Sequence, residues 1–287
     1  IAGYHWFTDW GRDTMIAMRG LIIATGKKEA AKSILRTFLQ YLDGGMIPNR
    51  FPDLGEKPEY NTIDATLWLF VALHEYHEQF HDVEFIRSFF GKLTEIINAH
   101  YAGTRYNIHV TPEGLLYGGQ DGTQLTWMDA KVGDYVVTPR IGCPVEINAL
   151  WFNALSVYVS FGNLLGFPVS GYVQKLKDLK SVFRSHFINE KGYLNDVVIP
   201  GHKADETIRP NQVYAISLPF SPLTNTEAKR VLDVVHQHLY TEYGLRSLSP
   251  FHPDFKPIYT GDQWHRDNAY HQGTVWGFLW GEYAMAY

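Results

Sequence analysis

The feature that most constrains this chain is the rhythm of its connections. Apolar residues recur at spacings of three and four in roughly nine segments, near 12–25, 28–43, 61–80, 83–101, 144–166, 170–187, 211–219, 224–240 and 268–287. The links between them alternate in length. Short, turn-rich links follow the first, third, fifth and seventh segments, among them TGK, GFPV and PFSPL. Long links, near 44–60, 102–143, 188–210 and 241–267, follow the others. Short links make antiparallel helical hairpins. In a closed ring of such hairpins, every short turn would lie at one end and every long loop at the other. Strand-helix-strand alternation is missing, so a parallel α/β fold is not expected. The β-prone pieces YNIHV, LLYGG and DYVVT predict small β hairpins in the longest loop. The expectation is an all-α single domain over 1–287, with an aromatic, acidic funnel at the long-loop end.

Composition narrows the function. The chain has 25 Lys+Arg against 30 Asp+Glu, a formal charge of −5, which argues against a nucleic-acid partner. One cysteine, Cys143, rules out an intramolecular disulfide and suits a reducing, cytoplasmic setting. The longest wholly apolar run, Leu67 to Leu73, is far short of the roughly 20 residues of a membrane span. No secretory or transit signal opens the sequence. Phosphate loops (GxxxxGK[ST], GxGxxG) and a GxSxG serine elbow are also missing. His77 and His81 could share a helix face. They sit at a helix C-terminus, where His is favoured electrostatically, so no metal is expected. The unusual number is eight Trp, with 18 Tyr and 17 Phe. Trp is costly to bury fully because its N–H needs a partner. Surplus rings suit a flat apolar ligand face, such as that of a sugar.

Three motifs concentrate polar and aromatic chemistry. Tyr4-His5-Trp6-Phe7-Thr8-Asp9-Trp10-Gly11-Arg12-Asp13 precedes a helix. Capping by Thr8 or Asp9 would need one polar residue, whereas rings beside Arg12 and Asp13 can grip a polyol. In the longest loop, Leu125-Thr126-Trp127-Met128-Asp129-Ala130-Lys131 sets a carboxyl between a ring and a cation. Apolar rings favour the neutral carboxyl, as a general acid requires, while Lys131 pulls the other way. Glu146 follows at the start of a strongly apolar helix, where compensation of the helix dipole is the ordinary role. The third motif runs from Asp262 to Trp276 and holds His271 and Gln272; Arg209-Pro210-Asn211-Gln212 opens another helix.

These motifs together resemble the C-terminal glucosidase domain of glycogen debranching enzymes, the amylo-α-1,6-glucosidase family, in its prokaryotic form. The matching pieces run in order: WFTDWGRDT, YNTIDATLW, LTWMDAKVGD, VVTPRIGCPVEINALW, IRPNQVYAISLP, GLRSLSP and AYHQGTVW. The resemblance implies an (α/α)6 barrel and hydrolysis of α-1,6-linked glucose stubs of glycogen or another branched α-glucan, with inversion and without a cofactor. It implies Asp129 as general acid and Arg12 with Asp13 as holders of glucose hydroxyls. Trp10, Asp64, Trp127, Lys131, Arg209, Asn211, His271 and Gln272 would line the pocket. Inversion also needs a carboxylate base about 6.5–9.5 Å from the acid. Eukaryotic members carry a Glu in HQGPEW, where this chain has Val275, and the later Glu motif of other members is not found before the last residue, Tyr287. The base is therefore expected beyond Tyr287, with Glu146 and Glu282 as in-chain candidates, and the barrel is expected to be incomplete at both ends. Two alternatives stay open: an α-1,4 exo-glucosidase on the same fold, and a glucan-binding module without catalysis.

Overall fold

The computed structural model describes residues 9–52 and 57–287. The cluster Tyr4 to Thr8 lies outside them. Among the described residues the helices are α1 (Gly11–Met18), α2 (Lys28–Gln40), α3 (Ala65–Phe80), α4 (Val83–Ala102), α5 (Val145–Leu165), α6 (Ser170–Phe187), α7 (Tyr214–Ser217), α8 (Asn225–Leu239), α9 (Gln263–Tyr270) and α10 (Leu279–Ala286). The strands are all short: β1 (His109–Val110), β2 (Leu116–Tyr117), β3 (Lys131–Val132), β4 (Tyr135–Val136), β5 (Cys143–Pro144), β6 (Val197–Val198), β7 (Tyr240–Thr241), β8 (Gly244–Arg246) and β9 (Val275–Trp276). No helix among the described residues is long and apolar enough to cross a membrane.

The chain gathers into two compact units. The first comprises residues 1–110 and 153–176. Its centre is α3, apolar on nearly every face and buried from Ala65 to Leu73, as an all-round hydrophobic helix must be. Both α1 and α2 pack on it. On α2 the buried positions Ala31, Leu35, Phe38 and Leu39 form one stripe, leaving Ser33, Arg36 and Gln40 to solvent. Asp82 starts α4 by accepting the Phe85 N–H at 3.1 Å, a side-chain N-cap. His81, left-handed at φ 50°, ends α3. No group of three metal-ligating side chains occurs among the described residues. Gly11 is required by proximity. A Cβ there would lie 2.1 Å from the Pro48 carbonyl oxygen, while its N–H donates to the Asn49 carbonyl at 2.7 Å. The N-cap of α1 is Trp10, in extended backbone and without a side-chain cap, rather than Thr8 or Asp9.

The second unit comprises residues 111–152 and 177–287. It takes the first turns of α5, and its fully buried side chains include Trp151, Phe183, Phe187 and Leu239. The loops carry the small sheets expected of them. β3 pairs antiparallel with β4, β5 with β6, and β8 lies between β7 and β9. Thr224 and Glu227 form a reciprocal capping box on α8. The expected helix at 268–287 is interrupted. It starts earlier, at Gln263, stops at Tyr270, and resumes at Leu279 after β9. The cause is tertiary. Gly273 adopts φ +143°, its N–H donates to Ser247 Oγ at 2.9 Å, and the Ser247 N–H donates to the Thr274 carbonyl. Strand pairing of β8 with β9 replaces the helical bonds that periodicity alone would predict.

Candidate active site

Within the first unit, the Arg12 Nε donates to both oxygens of Asp64, at 2.9 and 2.7 Å, and Nη2 reaches Thr62 Oγ1 at 3.1 Å. Thr62 also donates to Asp64. The expected sugar-gripping Arg12 is thus pre-aimed by a buried carboxylate 52 residues away. Asp13 is exposed, and desolvation by its surroundings raises its pKa against the pull of Arg12. Trp10 is half-buried, with the Arg50 guanidinium 5.9 Å from its ring centre. Arg50 in turn pairs with Glu59 at 3.0 Å.

Within the second unit, one loop and its supports surround Asp129. Asp129 is exposed, while its neighbours Trp127, Met128 and Ala130 are buried. Each neighbour is held. The Trp127 Nε1–H donates to Asn211 Oδ1 at 2.7 Å. Its ring meets His271, Trp276 and Phe278 edge-on, with centroids 5.2, 5.7 and 5.3 Å away. Met128 Sδ receives Asn211 Nδ2 at 3.6 Å and Arg209 Nη1 at 3.9 Å. The Ala130 N–H donates to His271 Nδ1 at 3.4 Å. An accepting Nδ1 puts the imidazole proton on Nε2. A carboxyl presented from a loop fixed on both sides is what a proton donor to a bound substrate needs.

Arg209 ties the other loops to this one. Its Nη1 donates to the carbonyls of Ser247 at 3.1 Å and His271 at 2.8 Å, and its Nη2 donates to Gln272 Oε1 at 2.9 Å. Lys131 stands apart on β3, exposed, with Nζ 3.3 Å from the Gly122 carbonyl.

Beneath the loop lies a buried ion cluster. Arg140, with 3% of its side chain exposed, donates to both oxygens of Glu146 and both of Asp196. Burial alone would lower the Arg140 pKa; the two carboxylates more than reverse it. Burial pushes Glu146 up, against the pull of Arg140. Glu146 is therefore placed as a partner of Arg140 inside the protein, with 2% of its side chain exposed, whereas a base in an inverting reaction must touch a water. Glu282 is likewise buried and accepts Ser217 Oγ at 2.5 Å. Both in-chain candidates are thus engaged inside the protein, Glu146 by Arg140 and Glu282 by Ser217.

Sequence reasoning found Trp127, Asn211, Arg209, His271 and Gln272, which the fold brings around one loop. Ser247, Met128 and Phe278 were not singled out as contributors. For Ser247 a signal existed, its place in the polar GLRSLSP motif. Phe278 acts by packing and Met128 as a weak sulfur acceptor, neither of which leaves a chemical mark on a sequence.

Several solved structures share this fold. A mannosylglycerate hydrolase of glycoside hydrolase family 63 from Thermus thermophilus, in complex with glucose, matches with a TM-score of 0.64 at 14% identity, covering 98% of this chain and 84% of its own. An uncharacterized conserved protein from the same organism matches with a TM-score of 0.65 at 15% identity, covering 100% and 84%. A Klebsiella oxytoca rhamnosidase with rhamnose bound gives 0.56 at 11% identity, covering 80% and 42%. The fold class is that of the (α/α)6 glycosidases, mostly helical with small antiparallel sheets, as the family resemblance implied.

The family model described as amylo-alpha-1,6-glucosidase matches residues 1–287, and the chain belongs to that family of glycoside hydrolases. Among curated proteins, the glycogen debranching enzyme of Saccharomyces cerevisiae is 24% identical over 369 aligned residues, covering 97% of this chain. The chain spans about a quarter (24%) of the length of that relative.

Proposed function

We propose that this chain is an inverting glycosidase domain, with Asp129 as its general acid, that releases glucose from α-1,6-linked stubs of a branched α-glucan such as glycogen. The observation that carries this reading is Asp129, an exposed carboxyl on a loop whose flanking residues are buried and tied to Asn211, Arg209 and His271. In the reaction the Asp129 carboxyl gives its proton to the glycosidic oxygen as the C1–O bond breaks, and the bonding pair leaves with that oxygen. A water adds to C1 from the opposite face and loses its proton to a base. No cofactor is needed. Within the second unit, Gln272, half-buried beside this loop, would take a sugar hydroxyl.

Asp129→Asn in the full-length protein tests the assignment. Glucose release from α-1,6 stubs of a limit dextrin should fall about 10²- to 10⁴-fold, the usual worth of a general acid. Thermal stability should hardly move, because the side chain is exposed. An undiminished rate would remove Asp129 from the mechanism. Glucose release from α-1,4 oligosaccharides but not from α-1,6 stubs would replace the debranching reading with an α-1,4 exo-glucosidase.

A further inference from the structure

Nothing in the proposed chemistry calls for the ion cluster under the acid loop, yet it joins more charged groups than a helix start needs. Arg140 binds Glu146 through Nη1 and through Nη2 at 2.8 Å, and binds Asp196 through Nε and Nη2, both at 3.0 Å. Asp196 Oδ1 also accepts Asn211 Nδ2 at 2.7 Å, and Asn211 Oδ1 accepts the Trp127 Nε1–H at 2.7 Å. The result is an unbroken buried line from the start of α5 to the ring two residues before Asp129. Asp196 is anchored from its backbone as well: its carbonyl accepts the Val145 N–H at 2.9 Å and Arg140 Nη2 at 3.2 Å.

A stability role alone explains this poorly. Buried ion pairs repay little of their desolvation, and apolar replacements of similar volume are often as stable. What a charged, bidentate assembly does supply is direction. The planar guanidinium fixes two carboxylates in one plane, and only one orientation of the Asn211 amide then satisfies both Asp196 and the indole. That orientation sets the Trp127 ring, whose other contacts are edge-on rings with no directional polar bond to it.

We propose that Arg140 is a positioning residue for the general acid, acting through Asp196, Asn211 and Trp127 to hold the Asp129 carboxyl at the distance that protonates a glycosidic oxygen. This rests on the assignment of Asp129 as acid. It assigns Glu146 the task of orienting Arg140, not that of a base.

The test compares two substrates in the full-length protein. One is an α-1,6 glucosyl stub, whose oxygen leaving group needs a proton as the C1–O bond breaks. The other is α-glucosyl fluoride, whose fluoride leaves as the anion and needs little help from an acid. Asp129→Asn sets the benchmark, with stub hydrolysis lost and fluoride hydrolysis largely kept. Arg140→Met should reproduce that selectivity, with stub kcat/KM down about 10- to 100-fold, as expected for a misplaced group, and fluoride hydrolysis within about threefold of the parent. Trp127→Phe keeps one six-membered aromatic ring, removes the N–H with the rest of the pyrrole ring, and leaves the buried ion cluster intact, so it guards against a misfolded Arg140 variant; it should show the same selectivity more weakly. Equal losses on both substrates, or no selective loss in either folded variant, would overturn the positioning role. If Asp129→Asn itself shows no selectivity, the acid assignment fails first and the positioning role falls with it.

Discussion

Replacing Asp82 with Ala should destabilise the protein by about 3 kcal/mol at neutral pH. Its side chain is 12% exposed and does three jobs at once. It caps α4 through the Phe85 N–H, worth about 1 kcal/mol. It accepts the Tyr76 hydroxyl at 3.0 Å, a hydrogen bond to a charged group worth about 1.5 kcal/mol. It pairs with Lys32 at 3.1 Å and Lys28 at 3.3 Å; these lysines are 26% and 40% exposed, so solvent screens the pairs to about 0.5 kcal/mol or less each. Burial on its own would raise the carboxyl's pKa. Lys32, the Phe85 N–H, Tyr76 and Lys28 together overcome it and hold Asp82 below the ordinary carboxylate range. A depressed folded pKa contributes stability that is complete above the unfolded value, about 3.9, and is lost as pH falls through the folded value. At pH about 3 the unfolded carboxyl is mostly protonated, which removes about 1 kcal/mol of the advantage. Urea unfolding of parent and Asp82→Ala at neutral pH and near pH 3 reads this directly. A cost that is the same at both pH values, or below about 1 kcal/mol at neutral pH, would refute the reasoning.

Two further outcomes follow from packing. Gly11→Ala should cost at least about 2 kcal/mol in a thermal or urea melt, because its Cβ has nowhere to go but into the Pro48 carbonyl; a neutral substitution would mean that the turn before α1 is free to move. Trp151→Ala should cost about 3–5 kcal/mol, since its side chain is fully buried in the second unit, and a loss under about 1 kcal/mol by the same melt would show that the surrounding core collapses to fill the space.

The tryptophans show how far composition reaches. Trp68 on α3 and Trp151 on α5 are core residues, while Trp280 on α10 is only half-buried. Of those in loop motifs, Trp127 is buried with its N–H on Asn211, Trp276 is half-buried, and Trp264 is 48% exposed against Tyr135. The surplus of rings was legible. Which of them brace the loop of Asp129 was not, because that depends on partners supplied by other loops.

The sequence by itself determined the helical hairpins, the short β hairpins in the long loops, the family, and the loop that presents Asp129. These are matters of local periodicity, turn chemistry and ordered motifs, each contained in about twenty residues or fewer. Only the tertiary structure decided the support of that loop. Ala130 finds His271 141 residues away, Trp127 finds Asn211 84 away, and Arg140 finds Asp196 56 away. It also decided that the last helical segment breaks at Gly273, where pairing with β8 outweighs helical periodicity, and that Glu146 turns inward to Arg140. The physical reason is the same in each case. A buried charge or N–H must find a partner wherever the fold brings one, and local sequence does not say where that will be.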